Sequence, residues 1–270
     1  MSTVMTVSRT RTQSGFSLVE LMVALLMGSI VVLAATNLFT TNQRTFQLQQ
    51  SVSDIQQQGR FALDYISQDL RMAGYRLGAG FDGVLLTAES INGVVVPASS
   101  NNTGFNRSDR LSIQYAGVVD CEGDTVAVEE IIGSTYWVNN NGQLMCMGTV
   151  DPATNGLPLV ENVESFQVLA GIGDGSVDFG VTWVDRYVPL NAVGTGFVTG
   201  INASMLIAAD GPATSIPQQA RTILLLDEVF QTGAAPLAEN RIRRQFNLSI
   251  ALRNYDVTEM PSFAGTQSAP

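Results

Sequence analysis

The sequence predicts an α+β protein: one long N-terminal α-helix packed on a mainly antiparallel β-sheet head. Three observations predict it. Gly15 to Phe39, GFSLVELMVALLMGSIVVLAATNLF, is almost wholly apolar. From Thr40 to Tyr75 the chain turns polar yet keeps apolar residues at helical spacing, with no proline before Pro97. After Tyr75 the helical pattern breaks, and short β-prone runs follow, bounded by Gly, Asn, Asp and Pro.

The first element is the apolar run. Its one charge is Glu20, and the next charged residue is Arg44. An uncharged helical run of roughly 20 residues crosses a bilayer core. The polar leader before it carries Arg9 and Arg11 and no acid, which holds it on the cytoplasmic side. A carboxylate within such a run costs about 2.5–3.5 kcal/mol on insertion scales, so Glu20 calls for a partner. No second ionisable group lies near it in the sequence. A plain signal anchor with a stray Glu is the bland alternative.

The helix continues past the apolar run. Leu48, Val52, Ile55, Gly59, Ala62, Ile66 and Leu70 form one stripe, and Gln49, Gln50, Asp54, Gln57, Arg60, Asp64 and Gln68 the opposite one. The pattern predicts a single helix over 16–75, with a membrane or bundle half at about 16–39 and an amphipathic half at about 40–75. Gly74 is the expected stop.

Residues 76–270 form the head. Expected strands are Gly83–Leu86, Gly93–Val96, Arg110–Tyr115, Thr125–Ile132, Thr135–Asn139, Gln143–Met147, Val163–Ala170, Gly180–Val184, Asn202–Ala208, Ile223–Val229 and Gln245–Arg253. Asn139-Asn140-Asn141-Gly142 reads as a hairpin turn joining Tyr136-Trp137-Val138 to Leu144-Met145-Cys146. Asn101 to Asn106 and Gly211 to Gln219 read as loops, and Pro261 to Pro270 as a fraying tail.

Composition narrows the function. The 14 basic residues are all Arg, there is no Lys or His, and 24 acids bring the net charge to −10. Such a chain repels nucleic acid. Without His, the Ser-His-Asp, Cys-His and His-metal arrangements are all excluded. There is no P-loop and no Gly-x-Ser-x-Gly. Gly78-Ala79-Gly80 and Gly171-Ile172-Gly173 lack the rest of a dinucleotide fingerprint and read as loop glycines.

Cys121 and Cys146 are the two cysteines. In an exported segment an even count suggests a disulfide, worth roughly 3 kcal/mol for a loop of this length. Two free buried thiols are the other reading. Asp120, Glu122, Asp124, Glu129 and Glu130 surround Cys121, as a solvated edge or a partner-binding surface. Asp174-Gly175-Ser176-Val177-Asp178 is similar to a fragment of a calcium loop but lacks the distant Glu, so a hairpin turn is the expectation. Nothing selects a carboxylate pair for glycoside hydrolysis. No catalytic, metal or cofactor site is assigned.

The glycine before the apolar run carries the most specific signal. The string Gly15-Phe16-Ser17-Leu18-Val19-Glu20 resembles the processing site of type IV prepilins. That resemblance implies that prepilin peptidase cuts after Gly15, removes residues 1–15 and methylates Phe16. It also implies that the charged Phe16 amine pairs with Glu20 of a neighbouring subunit, turning a penalty into a choice of register. Loss of Arg9 and Arg11 takes the net charge from −10 to −12.

Further strings narrow the resemblance. Gln58 to Ile66, Asp69 to Arg76, Asp109 to Tyr115, Asn141 to Cys146, Leu159 to Val168 and Phe246 to Asn254 are similar, in order, to the PilW family of minor pilins. That family often has a Cys soon after the equivalent of Tyr75-Arg76, where this chain has Leu77-Gly78. Residues Phe179 to Gly200 and Pro212 to Gln219 match only loosely.

The resemblance implies a pilin-like fold and a minor subunit that primes type IV pilus assembly and sits in the tip complex. Twitching motility, adhesion and DNA uptake are the downstream roles. The implied partners are prepilin peptidase, other minor pilins, the major pilin and a tip adhesin. The implied route is the inner membrane, single-pass with a periplasmic head, then the pilus at the cell surface. Ala24, Gly28, Ser29, Ala34 and Ala35 would let neighbouring stalks approach closely. The alternatives are a minor pseudopilin of a type II secretion system, and a membrane-anchored binding or hydrolytic domain using a pilin-like anchor.

Overall fold

The computed structural model describes residues 15–76, 83–151, 155–173, 184–194, 197–210, 220–235, 237 and 241–254. The leader arginines, Gly78, Gly80, the Asp174–Asp178 stretch, the 211–219 loop, the tail and nearly all of the expected 180–184 strand lie outside them. The chain forms two compact units, residues 1–50 and 51–270.

One helix, α1 (Leu18–Met72), runs through both. In the first unit its large apolar side chains are exposed, apart from half-buried Leu48. In the second unit Ile55, Gly59, Ala62, Leu63, Ile66 and Leu70 are buried, so the predicted stripe faces the core from Ile55 onward. Gly74 ends the helix with φ 78°, a left-handed conformation that costs glycine little. Asn254 Nδ2 donates to the carbonyls of Arg71 (3.1 Å) and Ala73 (3.4 Å), satisfying acceptors the helix end leaves open.

The head contains twelve strands among the described residues: β1 (Glu89–Ile91), β2 (Val94–Val96), β3 (Leu111–Val119), β4 (Thr125–Val138), β5 (Leu144–Met147), β6 (Leu157–Val160), β7 (Val163–Gly173), β8 (Arg186–Pro189), β9 (Phe197–Ala208), β10 (Thr222–Leu225), β11 (Glu228–Gln231) and β12 (Arg243–Ala251). All pairings are antiparallel. One four-stranded sheet has the order β3-β4-β5-β6, the other β12-β9-β7-β8, with β1-β2 and β10-β11 as separate hairpins. Residues of both large sheets and of α1 share one core, with Ile66, Leu70, Leu111, Tyr136, Phe166 and Met205 fully buried. The fold is α+β.

Several boundaries differ from the sequence reading, each for a local reason. The runs Thr125–Ile132 and Thr135–Asn139 are one strand, because Gly133 is a close-approach glycine. A Cβ there would lie 2.9 Å from Val96 and 3.1 Å from Ile91 of the β1-β2 hairpin. Gly171 and Gly173 lie within β7, and are not loop residues. A Cβ on Gly171 would press on Val184 and Tyr187.

Ile223–Val229 is not one strand but the β10-β11 hairpin, turning at Leu226 with φ 54°. The turn brings buried Leu225 and Phe230 together over Leu206. Gly83–Leu86 contributes only an isolated bridge, Val84 to Ile113. The short strands β1, β6 and β8 carry no period long enough to read. The Asn139 turn does join the expected partners, with Tyr136 opposite Cys146, Trp137 opposite Met145 and Val138 opposite Leu144. Asn139 Oδ1 accepts the N–H groups of Asn141 and Gln143, and Gly142 takes φ 70°.

Candidate processing segment and disulfide loop

Gly15 and Phe16 precede the first helical turn, and Phe16 is 85% exposed. Glu20 lies in that first turn, where the N-terminal end of the helix dipole favours an acid. From Leu18 to Phe39 every large apolar side chain stands more than half exposed. A patch of this extent calls for a non-aqueous surrounding or a partner. Two hydroxyls within it bond to carbonyls of their own helix. Ser29 Oγ donates to the Leu26 carbonyl and Thr36 Oγ1 to that of Val32, both at 2.8 Å. In hydrocarbon such internal bonding is what lets a hydroxyl sit in a spanning helix. α1 is long and apolar enough to cross a membrane.

In the head, Cys121 and Cys146 form a disulfide with Cα atoms 6.2 Å apart. The bridge joins the loop after β3 to strand β5. Asp120 anchors that loop: Oδ1 accepts the N–H groups of Glu122 (3.0 Å) and Asp124 (3.1 Å), and Oδ2 that of Val150 (3.1 Å). Glu122 Oε2 accepts the Gly148 N–H at 2.9 Å. The carboxylates of Asp120, Glu122 and Asp124 lie within 4.8 Å of one another. They have the donor chemistry for a cation, but Asp120 commits both oxygens to backbone N–H groups.

Two acids, part-buried Asp69 and buried Asp109, have partners that sequence reading does not reveal. Asp69 Oδ2 accepts the Tyr136 hydroxyl at 2.6 Å. Burial raises its carboxyl above the usual carboxylate range, although the Tyr136 hydrogen bond opposes this. Asp109 is 1% exposed. It accepts the N–H groups of Asn102 (2.6 Å) and Val168 (2.7 Å), and burial pushes its pKa up to about 7. Each opens a string similar to the PilW family, but the strings do not reveal the partners, since Tyr136 is 67 residues and Val168 is 59 residues away in the chain.

Comparison with known families fits this geometry. Residues 10–36 match the prokaryotic N-terminal methylation motif, and residues 135–254 match type IV pilus-assembly protein W. The second match spans the end of β4 through β12. A comparison with curated proteins returns no match. Among solved structures, a type IV-like pilin from Thermus thermophilus aligns with 75% of this chain and 97% of its own, at 16% identity and a TM-score of 0.41.

A methylation motif heading an exposed apolar helix, followed by an antiparallel β head, defines a type IV pilin-like protein, anchored in a membrane and directed to a pilus. Within that class the chain is similar over residues 135–254 to PilW-type minor pilins.

Proposed function

We propose that this chain is a minor subunit that primes type IV pilus assembly and takes its place in the tip complex with other minor pilins and the major pilin. The observation that carries the reading is the joint match: a methylation motif at residues 10–36 and a PilW match at residues 135–254 on one chain. Residues 16–75 act as stalk, with about 16–39 in the membrane and then in the filament core, and 76–270 as a periplasmic head. Prepilin peptidase cuts after Gly15 and methylates Phe16. The new amine pairs with Glu20 of the adjacent subunit. The role is structural rather than catalytic.

The physical logic is transfer without a large change of environment. An apolar stalk leaves lipid for a bundle of like stalks, and close helix packing replaces lipid contacts. An oriented pair at Glu20 sets the axial step, since a buried charge is tolerated only where its partner sits.

Glu20→Ala is expected to leave cleavage at Gly15 intact while lowering incorporation into pili, read as this subunit's abundance in sheared pili against the membrane fraction. Unchanged abundance in pili would sink the pairing role. Deleting the gene is expected to impair twitching or DNA uptake. Intact twitching with lost exoprotein secretion would instead assign the chain to a secretion pseudopilus.

A further inference from the structure

The two four-stranded sheets of the head have outer edges at β3, β6, β8 and β12. Three of them are blunted against further pairing. Along β3 the outward backbone groups are already taken. Arg110 pairs with Ser100, the Ser112 carbonyl accepts the Leu85 N–H, Gln114 bonds to Gly74 and Gly83, and the Ala116 N–H donates to the Tyr75 carbonyl. β6 and β8 are four residues long and contain Pro158 and Pro189, which have no N–H to donate. β12 differs. It runs for 9 residues with no proline, no acid and no shift in its register with β9.

That register fixes which backbone groups are bare. The Ile242 carbonyl accepts the Ala209 N–H at 2.8 Å, and the Leu252 N–H donates to the Thr199 carbonyl at 2.9 Å. Pairing alternates along an antiparallel ladder, so the even-numbered residues between them bond to β9. Arg243, Gln245, Asn247, Ser249 and Ala251 therefore turn their N–H and C=O groups outward. Among the described residues no second strand pairs with this edge. Gln245, Asn247, Ser249 and Ala251 are exposed. The two faces of the strand differ. Phe246 and Leu248 are half-buried and Ile250 is buried on one, and Gln245, Asn247 and Ser249 line the other. Arg244 is exposed at the start of the strand.

We propose that the open edge of β12 takes an extended segment of a partner protein as a fifth, antiparallel strand of its sheet. Donors and acceptors alternate along this edge at strand spacing, and an extended backbone is the ligand that meets all of them. Antiparallel pairing is the stronger ladder per residue. The faces specify the segment: apolar residues opposite Phe246, Leu248 and Ile250, polar residues opposite Gln245, Asn247 and Ser249, and an acid opposite Arg244. A second copy's β12 has no acid to offer Arg244, and its net charge of −10 repels the first. The segment therefore belongs to a different protein. The proposal does not depend on where the chain assembles.

The test uses the full chain in detergent and two forms of one peptide, acetyl-Thr-Val-Thr-Val-Thr-Val-Thr-Glu-amide, aligned antiparallel from Ala251 to Arg244. One form is N-methylated on its three valines, whose N–H groups face away from β12. The other is N-methylated on the three threonines opposite Ser249, Asn247 and Gln245, whose N–H groups face it. Composition is identical, so only the donors offered to the edge differ. Affinity is read by titration, and location by amide hydrogen exchange. The valine-methylated form is expected to bind one per chain, at least about tenfold tighter than the other, less tightly as salt rises, and with slowed exchange across β12. Ser249→Pro removes an outward N–H without touching the β9 ladder, and is expected to weaken binding about tenfold. Arg244→Gln is expected to weaken it by a smaller factor and to flatten the salt dependence, and it is the deciding variant if Ser249→Pro fails to fold. Equal binding of the two forms, no binding of either, protection away from β12, or undiminished binding by folded variants would overturn the proposal. So would a dimer of the chain that Ser249→Pro dissolves, which would give the edge to a second copy.

Discussion

Asp109 shows how one buried side chain sets the pH response of the head. It sits where Asn102 and Val168 present backbone N–H groups, beside the Arg107–Glu228 ion pair at 2.7 Å. Burial raises its pKa from 3.8 to about 7, and Asp227 and Glu228 push the same way. A carboxyl raised on folding binds its proton more tightly in the native state than in the unfolded one. Its contribution is therefore fully present below the unfolded pKa of 3.8 and is lost as pH rises through about 7. The head's unfolding free energy, read from denaturant titrations, is expected to fall between pH 4 and 7, by up to about 1.4 kcal/mol per pH unit from this group. Asp109→Asn should flatten that slope, and an unchanged slope in the variant would assign the dependence elsewhere. Asp109 heads a string that resembles the PilW family, but its burial is not legible there, since Val168, one of its donors, is 59 residues away. Gly15, Phe16 and Glu20, by contrast, form one contiguous string, inside the methylation-motif match at residues 10–36.

At the scale of elements, the seam between α1 and β12 depends on a missing side chain. Gly59 lies under the ring of Phe246, and any Cβ there collides with it. Gly59→Leu is expected to lower thermal stability by about 1–3 kcal/mol through overpacking. Phe246→Ala in the same chain should recover part of that loss, because the two changes share one contact. Strictly additive losses would show that the seam does not depend on this fit. The position of Gly59 on the apolar stripe was readable from its helical spacing, but its partner was not. Phe246 is 187 residues away in sequence order, and only the β9-β12 pairing brings it to the helix. The same contrast holds in the sheets. The Asn139 turn was legible from its own chemistry, whereas the Leu226 turn was hidden by residues typical of a strand. Gly133 misled because the hairpin that needs its bare Cα lies far off in sequence.

For the whole molecule, two features stand on one chain: a methylation-motif match heading an exposed apolar helix, and a disulfide-braced β head that the PilW family model matches over residues 135–254. The helix and the fold class were legible because period and composition are summed over many residues. The surroundings of Asp69 and Asp109 were not, because Asp69 on α1 meets Tyr136 of β4, and Asp109 meets Asn102 and Val168 of β7. The central claim is that the chain enters the pilin pathway through its N-terminus. The measurement that tests it most directly is the intact mass of the membrane-extracted protein from cells with and without prepilin peptidase. A chain lacking Met1 to Gly15 and carrying one added methyl group, only where the peptidase is present, is the predicted result. An uncut, unmethylated chain in both strains would contradict it and reduce Gly15 to Phe39 to a simple anchor.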